Sequence, residues 1–198
     1  TGVGVAGDID SPRGRVRFAP NLKWKNVPLQ KLLLTAGFPR PITVDNDANA
    51  MAWGEYRIGA GRGAKHMIAL TLGTGIGGGI VMGGKLFHGP HYSAAEMGHF
   101  IVDEKGPLCG CGNRGCIETF VGNGYFINQT RRSLKAGVKT VLRKWLKEGH
   151  ELTPKLVQDA AEAGDAFAKA QWRTAGRKLG TFLAGLVNTL DPERIVIG

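Results

Sequence analysis

Residues 96–118 read EMGHFIVDEKGPLCGCGNRGCIE, and the rest of the chain is organised around this stretch. It holds all three cysteines of the protein, Cys109, Cys111 and Cys116. Thiolate sulfurs and imidazole nitrogens are the ligands that tetrahedral zinc prefers, and four protein ligands make a closed, structural site. The alternative is a disulfide or free thiols, but an odd cysteine count cannot pair fully and a C-x-C bridge closes a strained ring. The spacing therefore predicts a zinc site.

The spacing does not identify the fourth metal ligand, because His88, His91 and His99 all lie upstream within reach. A carboxylate stands at each end of the stretch, Glu96 and Glu118, and a bound metal would fix both. A metal with four protein ligands has no open position for chemistry. If the protein acts on phosphate groups, their charge would then be met by Mg²⁺ and backbone amides.

The composition is that of a globular protein. The 198 residues are 42% hydrophobic and 21% charged, and the 31 glycines follow no short period, which excludes collagen-like and low-complexity classes. The net charge is +10, and we interpret the basic run Arg131–Lys147 as a solvated helix face rather than a nucleic-acid or membrane patch. A basic surface also favours phosphorylated substrates. Clustered thiols, the lack of a signal peptide and the lack of a spanning apolar run predict a cytoplasmic protein without a membrane or nucleic-acid partner.

Both ends of the chain read as interrupted strands. Thr1–Ala6 is a strand already under way without an initiating methionine, and Arg194–Gly198 is a strand that stops before its connection. We therefore expect a piece of a longer protein, truncated at both ends.

Alternating strand and helix patterns predict an α/β layer in the first part of the chain. The expected elements are a strand up to Gly7, a hairpin around 11–14, a helix over 27–36 capped by Gly37, a strand over 41–44 and a helix over 48–58. Gly59–Gly63 is expected to be a flexible joint and hinge. It divides the chain into a partial N-terminal α/β domain, 1–63, and a C-terminal α/β domain with the zinc loop, 64–198.

The second domain is expected to start with a buried strand over 66–72, a glycine turn over 73–79, a strand over 80–82 and a hairpin turn over 82–85. After residue 117 the periodicity predicts helices over about 117–135, 140–148, 153–163 and 165–189.

The glycine turn matches two nucleotide motifs poorly. Gly73-x-Gly75-x-x-Gly78 fits the dinucleotide fingerprint, but a strand rather than a helix follows it. Gly79–Lys85 resembles a P-loop, but Leu86 replaces the required Ser or Thr. Two interpretations stay open: a nest of backbone N–H groups for phosphate with Thr74 as a hydroxyl donor, or a tight turn that merely needs glycine.

Asn46 and Asp47 lie where a predicted strand gives way to a helix. A helix N-cap would account for one of them. In the functional interpretation, Asp47 is a general base that accepts the proton of an attacking hydroxyl. Asn46 then holds a neighbouring hydroxyl. Carboxylates and amides at such a position suit a sugar, whose buried hydroxyls each need a partner.

These residues resemble the ROK family (repressors, open reading frames and sugar kinases). The resemblance rests on Glu96-x-x-His99, on Cys109-x-Cys111-Gly112-x-x-Gly115-Cys116-x-Glu118, on the Asn-Asp-Ala-Asn run 46–49 and on the glycine turn 72–79. It covers nearly the whole chain. The Asp-x-Gly-Gly-Thr hairpin with which the family opens is absent before Thr1, and so are the family's final glycines and closing helix after Gly198.

The resemblance implies an α/β, actin-like ATPase (ribonuclease H-like) fold of two domains, of which the first is incomplete here. It implies that Asp47 is the catalytic base and that zinc is held by His99, Cys109, Cys111 and Cys116. It implies further that the sugar is lined by Gly7, Asn46, Asp47, Glu96, His99 and Glu118, and that the nucleotide phosphates meet Gly73, Thr74 and Gly75.

The implied activity is phosphoryl transfer from MgATP to a hexose, at the 6-hydroxyl of glucose or of an N-acetylhexosamine. A glucokinase-type enzyme of carbohydrate metabolism, a homodimer when complete, is therefore expected. The alternative is a sugar-sensing repressor of the same family whose DNA-binding domain lies outside this chain. Repressor members tend to lose the Asn-Asp-Ala-Asn run, which this chain keeps, so the kinase is favoured. Polyphosphate as donor is permitted by the basic charge but not required by it.

Overall fold

The computed structural model describes residues 1–198. Its strands are β1 (Gly2–Val5), β2 (Asp8–Asp10), β3 (Arg15–Ala19), β4 (Trp24–Val27), β5 (Thr43–Asn46), β6 (Met67–Leu72), β7 (Ile76–Met82), β8 (Lys85–Leu86) and β9 (Arg194–Ile197). Its helices are α1 (Leu29–Thr35), α2 (Asp47–Ile58), α3 (Glu118–Val121), α4 (Asn123–Lys135), α5 (Leu142–Lys147), α6 (Pro154–Glu162) and α7 (Ala166–Leu190). None of these helices is both long enough and apolar enough to span a bilayer.

The chain packs into two compact units. The first unit comprises Thr1–Thr71, Gly77–Met97 and Asp191–Gly198, and the second comprises Leu72–Ile76 and Gly98–Leu190. This division by packing differs from the expected boundary after residue 63, because strands β6 to β9 belong largely to the first unit. The predicted domains of the chain, 1–63 and 64–198, stay a prediction.

In the first unit, β1 and β5 pair in parallel, with Val3 opposite Val44 and Val5 opposite Asn46. This register brings the carboxyl ends of the two strands side by side, so that the start of α2 lies beside the residues that follow β1. The antiparallel sheet β2-β3-β4 adds the hairpin that the sequence predicts around 11–14, and a strand, β4, that it does not. A single core joins these elements: Val5, Ile9, Val16, Ala19, Leu29, Ile42 and Val44.

A further sheet has the order β8-β7-β6-β9, with β6 and β9 parallel. Helix α2 packs closely on the glycines of β7. A Cβ at Gly79 would lie 2.4 Å from the Cβ of Ala52, and one at Gly77 would lie 2.8 Å from the Cβ of Ala48. The predicted turn over 73–79 is therefore wrong in extent. The turn is 73–75, and the glycines after it are strand residues that make room for a helix.

The second unit is mainly helical. Its core gathers apolar side chains from α4 to α7: Phe126, Leu142, Leu156, Val157, Ala160, Ala168 and Ala175. Phe182 of α7 is fully buried, and its ring lies 5.4 Å from that of Phe100, centroid to centroid. The four helical segments expected after residue 117 are confirmed, except that Gly122 adopts an extended conformation and divides the first of them into α3 and α4.

The expected helices and the second expected strand of the first unit are present in the structure. The helices over 27–36 and 48–58 are confirmed as α1 and α2, and Gly37, at φ 86°, ends α1 as expected. The strand predicted over 41–44 lies two residues later in the structure, as β5, which runs from Thr43 to Asn46. The run 59–63 lies inside the first unit, and its role as a hinge stays a prediction. Its backbone bonds to Glu55, and the Arg194 guanidinium bonds the carbonyl oxygens of Ala60 and Arg62.

Candidate active site and metal centre

The second unit brings His99 together with the three cysteines. The four candidate ligand atoms lie within 4.8 Å of one another. The Cys109 Sγ to His99 Nδ1 distance is 3.6 Å, and the Cys111 Sγ to Cys116 Sγ distance is 3.7 Å. Tetrahedral zinc with Zn–S near 2.3 Å and Zn–N near 2.0 Å requires separations of about 3.8 Å for S–S and about 3.6 Å for S–N. The donor set and its spacing therefore fit a closed zinc site.

Tight backbone turns aim the sulfurs at one point. The Cys109 N–H donates to Asn113 O at 2.8 Å, and the Gly112 N–H donates back to Cys109 O at 3.0 Å. Gly112 and Gly115 have φ of 94° and 68°, conformations that favour glycine. A Cβ at Gly115 would also lie 1.5 Å from the carbonyl oxygen of Asp103. Glycine at 115 is therefore required by both backbone conformation and space.

The thiols are not equivalent before a metal binds. Burial raises the pKa of Cys116 to about 12, whereas a hydrogen bond from the backbone N–H of Asn113 lowers the pKa of Cys111. A metal must displace the Cys116 proton, because the thiolate is the ligand form. Metal binding is therefore expected to release protons and to strengthen as the pH rises.

The other two candidate histidines, His88 and His91, belong to the first unit and are not members of this cluster. His88 Nε2 lies 2.7 Å from Asp45 Oδ2. The backbone carbonyl of His91 accepts a bond from Arg17, and its side chain is exposed. Since His99 contributes Nδ1 to the cluster, its Nε2 is the ring nitrogen that is left for another partner.

Asn46 caps helix α2. Its Oδ1 accepts the N–H groups of Ala48 at 2.8 Å and Asn49 at 3.2 Å, and its Nδ2 donates to Gly7 O at 3.0 Å. The N-cap interpretation thus accounts for the Asn46 oxygen, and one Nδ2 proton is left for a ligand. Asp47 is exposed, and its Oδ1 accepts only the Ala48 N–H, at 3.0 Å. The partial positive charge at the start of α2 stabilises an anion at this position.

A small cavity of about 50 Å³ opens beside Asp47 and is lined by Gly7, Asn46, Asn49, Gly78 and Glu96, among others. The Oδ1 atom of Asn49 is buried there without a hydrogen-bond partner in the protein. Larger cavities of about 430 and 540 Å³ in the first unit contain none of the predicted site residues. The small cavity is therefore the one that unites the predicted chemistry of this unit.

The glycine turn belongs to the second unit together with Glu118. The Ile76 N–H donates to Glu118 Oε2 at 2.9 Å. The carbonyl oxygens of Gly73 and Thr74 accept the N–H groups of Asn123 and Gly124 at 3.0 and 3.3 Å. The start of α4 therefore fixes the carbonyl side of the turn, and the N–H groups of Thr74 and Gly75 have no partner in the protein. The family resemblance implies a sugar contact for Glu118, and nothing in the sequence pattern indicates its bond to the Ile76 N–H.

Comparison with known proteins identifies the family of the chain. The family model described as "ROK family" matches residues 1–198. The chain belongs to the ROK family. It is 40% identical over 203 residues to a glucokinase of Thermotoga maritima and 36% identical over 197 residues to a xylose repressor of Caldicellulosiruptor bescii, each match covering 100% of the chain. A ROK glucokinase of Streptomyces griseus, solved in complex with glucose and AMPPNP, superposes with a TM-score of 0.83 at 40% identity over 98% of the chain.

The chain spans 62% and 63% of the length of the two glucokinases and 49% of the repressor. ROK proteins of known structure have the actin-like ATPase fold, and the expected α/β, actin-like class is confirmed, with part of that fold present here. ROK relatives thus include both enzymes and regulators.

Two features of the site were not anticipated from the sequence. The pair formed by Asp45 and His88 joins residues 43 positions apart, and nothing in the local pattern indicates it. Tyr125 accepts the Gly110 N–H at 2.7 Å, with its hydroxyl 3.9 Å from Cys109 Sγ. A tyrosine nine residues after the last cysteine carries no motif, so only the folded loop reveals it.

Proposed function

We propose that the complete protein is a hexose kinase that transfers the γ-phosphoryl group of ATP to a sugar hydroxyl, the 6-hydroxyl of glucose or of an N-acetylhexosamine. The observation that carries this proposal is the exposed Asp47 carboxylate at the start of α2, beside a cavity that Asn46 and Glu96 also line. The glucokinase of Thermotoga maritima and the glucose complex of the Streptomyces griseus glucokinase support it.

In the proposed reaction, Asp47 accepts the proton of the attacking hydroxyl. An ionised carboxylate only accepts hydrogen bonds, so the hydroxyl must point its proton at Asp47 and a lone pair at phosphorus. The sugar oxygen forms the new bond to the γ-phosphorus as the bond to the bridging oxygen breaks, and ADP leaves with that electron pair. Asn46 Nδ2 offers a donor to a neighbouring hydroxyl.

The remaining substrate contacts are proposed for Gly7, Glu96, Glu118 and His99. Nδ1 of His99 faces the thiols, so its Nε2 would meet a sugar hydroxyl. Glu118 would hold a hydroxyl with the oxygen that does not accept the Ile76 N–H. These assignments follow the resemblance to ROK sugar kinases, residue by residue.

Zinc would be held by His99, Cys109, Cys111 and Cys116, whose spacing fits it. Bound with four protein ligands, it supplies rigidity to the loop that ends at Glu118 and leaves no position for substrate. These four residues are the one group of three or more His, Cys, Asp and Glu side chains in residues 1–198 that is close enough to hold a metal. Mg²⁺ is therefore proposed to arrive with ATP.

The turn formed by Gly73, Thr74 and Gly75 is proposed to contact the nucleotide phosphates. Its two unpartnered N–H groups and the exposed Thr74 hydroxyl are suitable donors to phosphate oxygens. The carbonyl groups, which would repel phosphate, are occupied by the start of α4. This distribution favours the phosphate nest over a turn that merely needs glycine.

A second candidate function is a sugar-responsive repressor, favoured by the 36% identity to a xylose repressor. A repressor needs the sugar pocket but not a free base. The exposed Asp47, with its Asn-Asp-Ala-Asn run intact, favours the kinase. A complete homodimer is proposed as the functional form of either.

The test is ADP release by the full-length protein with MgATP and a panel of hexoses. We expect turnover with glucose or an N-acetylhexosamine, and a loss of kcat of about 10³-fold in Asp47→Asn, because proton transfer is removed while the shape is kept. Sugar binding, measured by calorimetry, should stay within a few-fold. Glu151→Gln, an exposed change in the other unit, is the control. Wild-type protein that binds a hexose but releases no ADP would support the repressor instead.

A further inference from the structure

The carboxylate of Asp45 joins three segments of the first unit. Its Oδ2 lies 2.7 Å from His88 Nε2, and its Oδ1 accepts the Asn46 N–H at 2.7 Å and the Asn49 Nδ2 at 3.3 Å. The side chains of Asp45 and His88 are 16% and 22% exposed, so water competes little for these bonds. One carboxylate therefore holds the cap and the first turn of α2 on one oxygen, and a distant histidine on the other.

The geometry fixes the state of the histidine ring. An ionised carboxylate only accepts, so His88 Nε2 must carry a hydrogen. The ring packs beside Tyr92, with centroids 5.4 Å apart, and the His88 carbonyl accepts the Ala94 N–H at 3.0 Å. The segment that starts at His88 is thus folded back on itself before it reaches Glu96.

Arg17 holds the same segment in its middle. Its guanidinium donates to His91 O at 2.9 Å and to Ser93 Oγ at 3.0 Å, while it pairs with Asp8 at 2.5 Å. The Asp8 pairing raises the pKa of the already cationic Arg17. His88 thus ties this segment to β5, the strand that ends at Asn46, whereas Arg17 ties it to the β2-β3 hairpin.

We infer that Asp45 and His88 form a positioning pair, which sets the proposed base, Asp47, against the proposed sugar ligand, Glu96. The inference rests on the proposed function. Neither member touches the reacting atoms in this account. Asp45 orients α2 through the Asn46 and Asn49 bonds, and His88 fixes the start of the segment that leads to Glu96. A misplacement of about 1 Å between base and hydroxyl is enough to cost one to two orders of magnitude in rate.

A purely structural pair would behave differently. Replacing both partners of a buried pair by apolar side chains is often neutral for stability, whereas replacing one partner leaves the other group unpaired. His88→Phe keeps an aromatic ring against Tyr92 but loses the donor, whereas His88→Gln keeps a donor near the position of Nε2. If only packing matters, His88→Phe should retain a higher kcat than His88→Gln. If positioning matters, His88→Gln should retain a higher kcat than His88→Phe.

The experiment compares these two variants, with His150→Phe in the other unit as the control, in the full-length protein. We expect His88→Phe to lower kcat about tenfold or more, with a smaller rise in the KM for hexose, and His88→Gln to recover most of that loss. Hydrogen exchange of the peptides covering 45–52 and 86–96 is measured on the same samples. It should be faster in His88→Phe alone, whether or not the protein is a kinase.

The outcomes separate the pair from the proposed function. Absence of kinase activity in the wild type, with the exchange difference intact, would overturn the proposed function and the catalytic purpose of the pair while leaving the tether itself established. Wild-type kinase activity with His88→Phe within twofold of it would overturn the positioning pair. Equal losses of kcat in both His88 variants would also overturn it, because the donor would then be irrelevant.

Discussion

At the scale of a single residue, Gly75 shows how closely the glycine turn packs against Glu118, the residue that ends the loop with the proposed zinc ligands. A Cβ at this position would lie 2.3 Å from Glu118 Oε2, the atom that accepts the Ile76 N–H. The neighbouring Gly73 has open space where a Cβ would be. Glycine at 75 is therefore set by the Glu118 carboxylate, which is also a proposed hexose ligand.

Gly75→Ala is predicted to move that carboxylate rather than the backbone, since the far end of a glutamate side chain is the part that yields. The fold and the metal content should be unchanged, while hexose affinity falls about tenfold, the cost of one weakened hydrogen bond to a charged group. Calorimetry with hexose measures this. Gly180→Ala, in α7 with open space at its Cβ, is the matched control. Unchanged hexose affinity in Gly75→Ala would mean that Glu118 does not contact the sugar.

Single residues were predicted unevenly from the sequence. The three cysteines could be predicted as metal ligands from the sequence, because their close spacing in a short glycine-rich loop allows few arrangements of the thiols. Asn46 and Asp47 were found at the start of a helix, yet the sequence could not decide which of them caps it. The bond from the Ile76 N–H to Glu118 spans 42 positions, and such a contact exists only once α3 has been folded against the turn.

At the scale of elements, two helices anchor the loop 99–118 of the second unit, which carries the proposed zinc ligands. Lys178 of α7 donates to Asp103 at 2.8 Å and lies 4.9 Å from the Phe120 ring centroid in α3. The Lys178 bond lowers the pKa of Asp103. The loop is thus tied at its start to α7 and at its end to α3, and the metal would close it in the middle.

The start of α7 offers a test with a defined pH dependence. Asp165 accepts the N–H groups of Ala168 and Val141, each at 2.8 Å. Burial alone would raise the pKa of Asp165, but these bonds outweigh it and the net shift is downward. A lowered folded-state pKa stabilises the protein above the unfolded value, near 3.9, and that stability is lost as the pH falls through the folded pKa.

Asp165→Ala is therefore predicted to destabilise the second unit by about 2 kcal/mol at pH 7, roughly one helix cap plus one orphaned donor. The difference from wild type should shrink below about pH 4. Urea unfolding followed by Trp145 and Trp172, with Trp24 and Trp53 replaced by Phe, measures it. Glu151→Ala is the control. A difference that stays constant down to pH 2 would show that the carboxylate charge is not responsible.

Elements were largely predictable where one pattern dominated. The helices α1, α2 and α4 to α7 follow apolar periodicity, and their ends follow Gly and Pro. β7 was shortened in the prediction because its glycines resemble a turn, although they serve to admit α2. β4 was missed because it is a short edge strand, Trp24–Val27, whose pairing with β3 is a tertiary effect.

At the scale of the whole molecule, family membership unites sugar enzymes and sugar regulators on one fold. The feature by which we separate the two classes is the Asn-Asp-Ala-Asn run, which this chain keeps at 46–49. In this chain, the loop that carries His99 and the three cysteines ends at Glu118. A metal that fixes this loop would fix two proposed hexose contacts, His99 and Glu118, at once.

Hexose affinity as a function of zinc occupancy tests that claim most directly. The full-length protein is titrated with a chelator, zinc is measured by mass spectrometry, and hexose binding is measured by calorimetry on the same samples. We predict one zinc per chain as purified, a loss of hexose affinity in proportion to the zinc removed, and recovery when zinc is restored. Purified protein without zinc, or zinc-free protein that binds hexose as tightly as before, would contradict it.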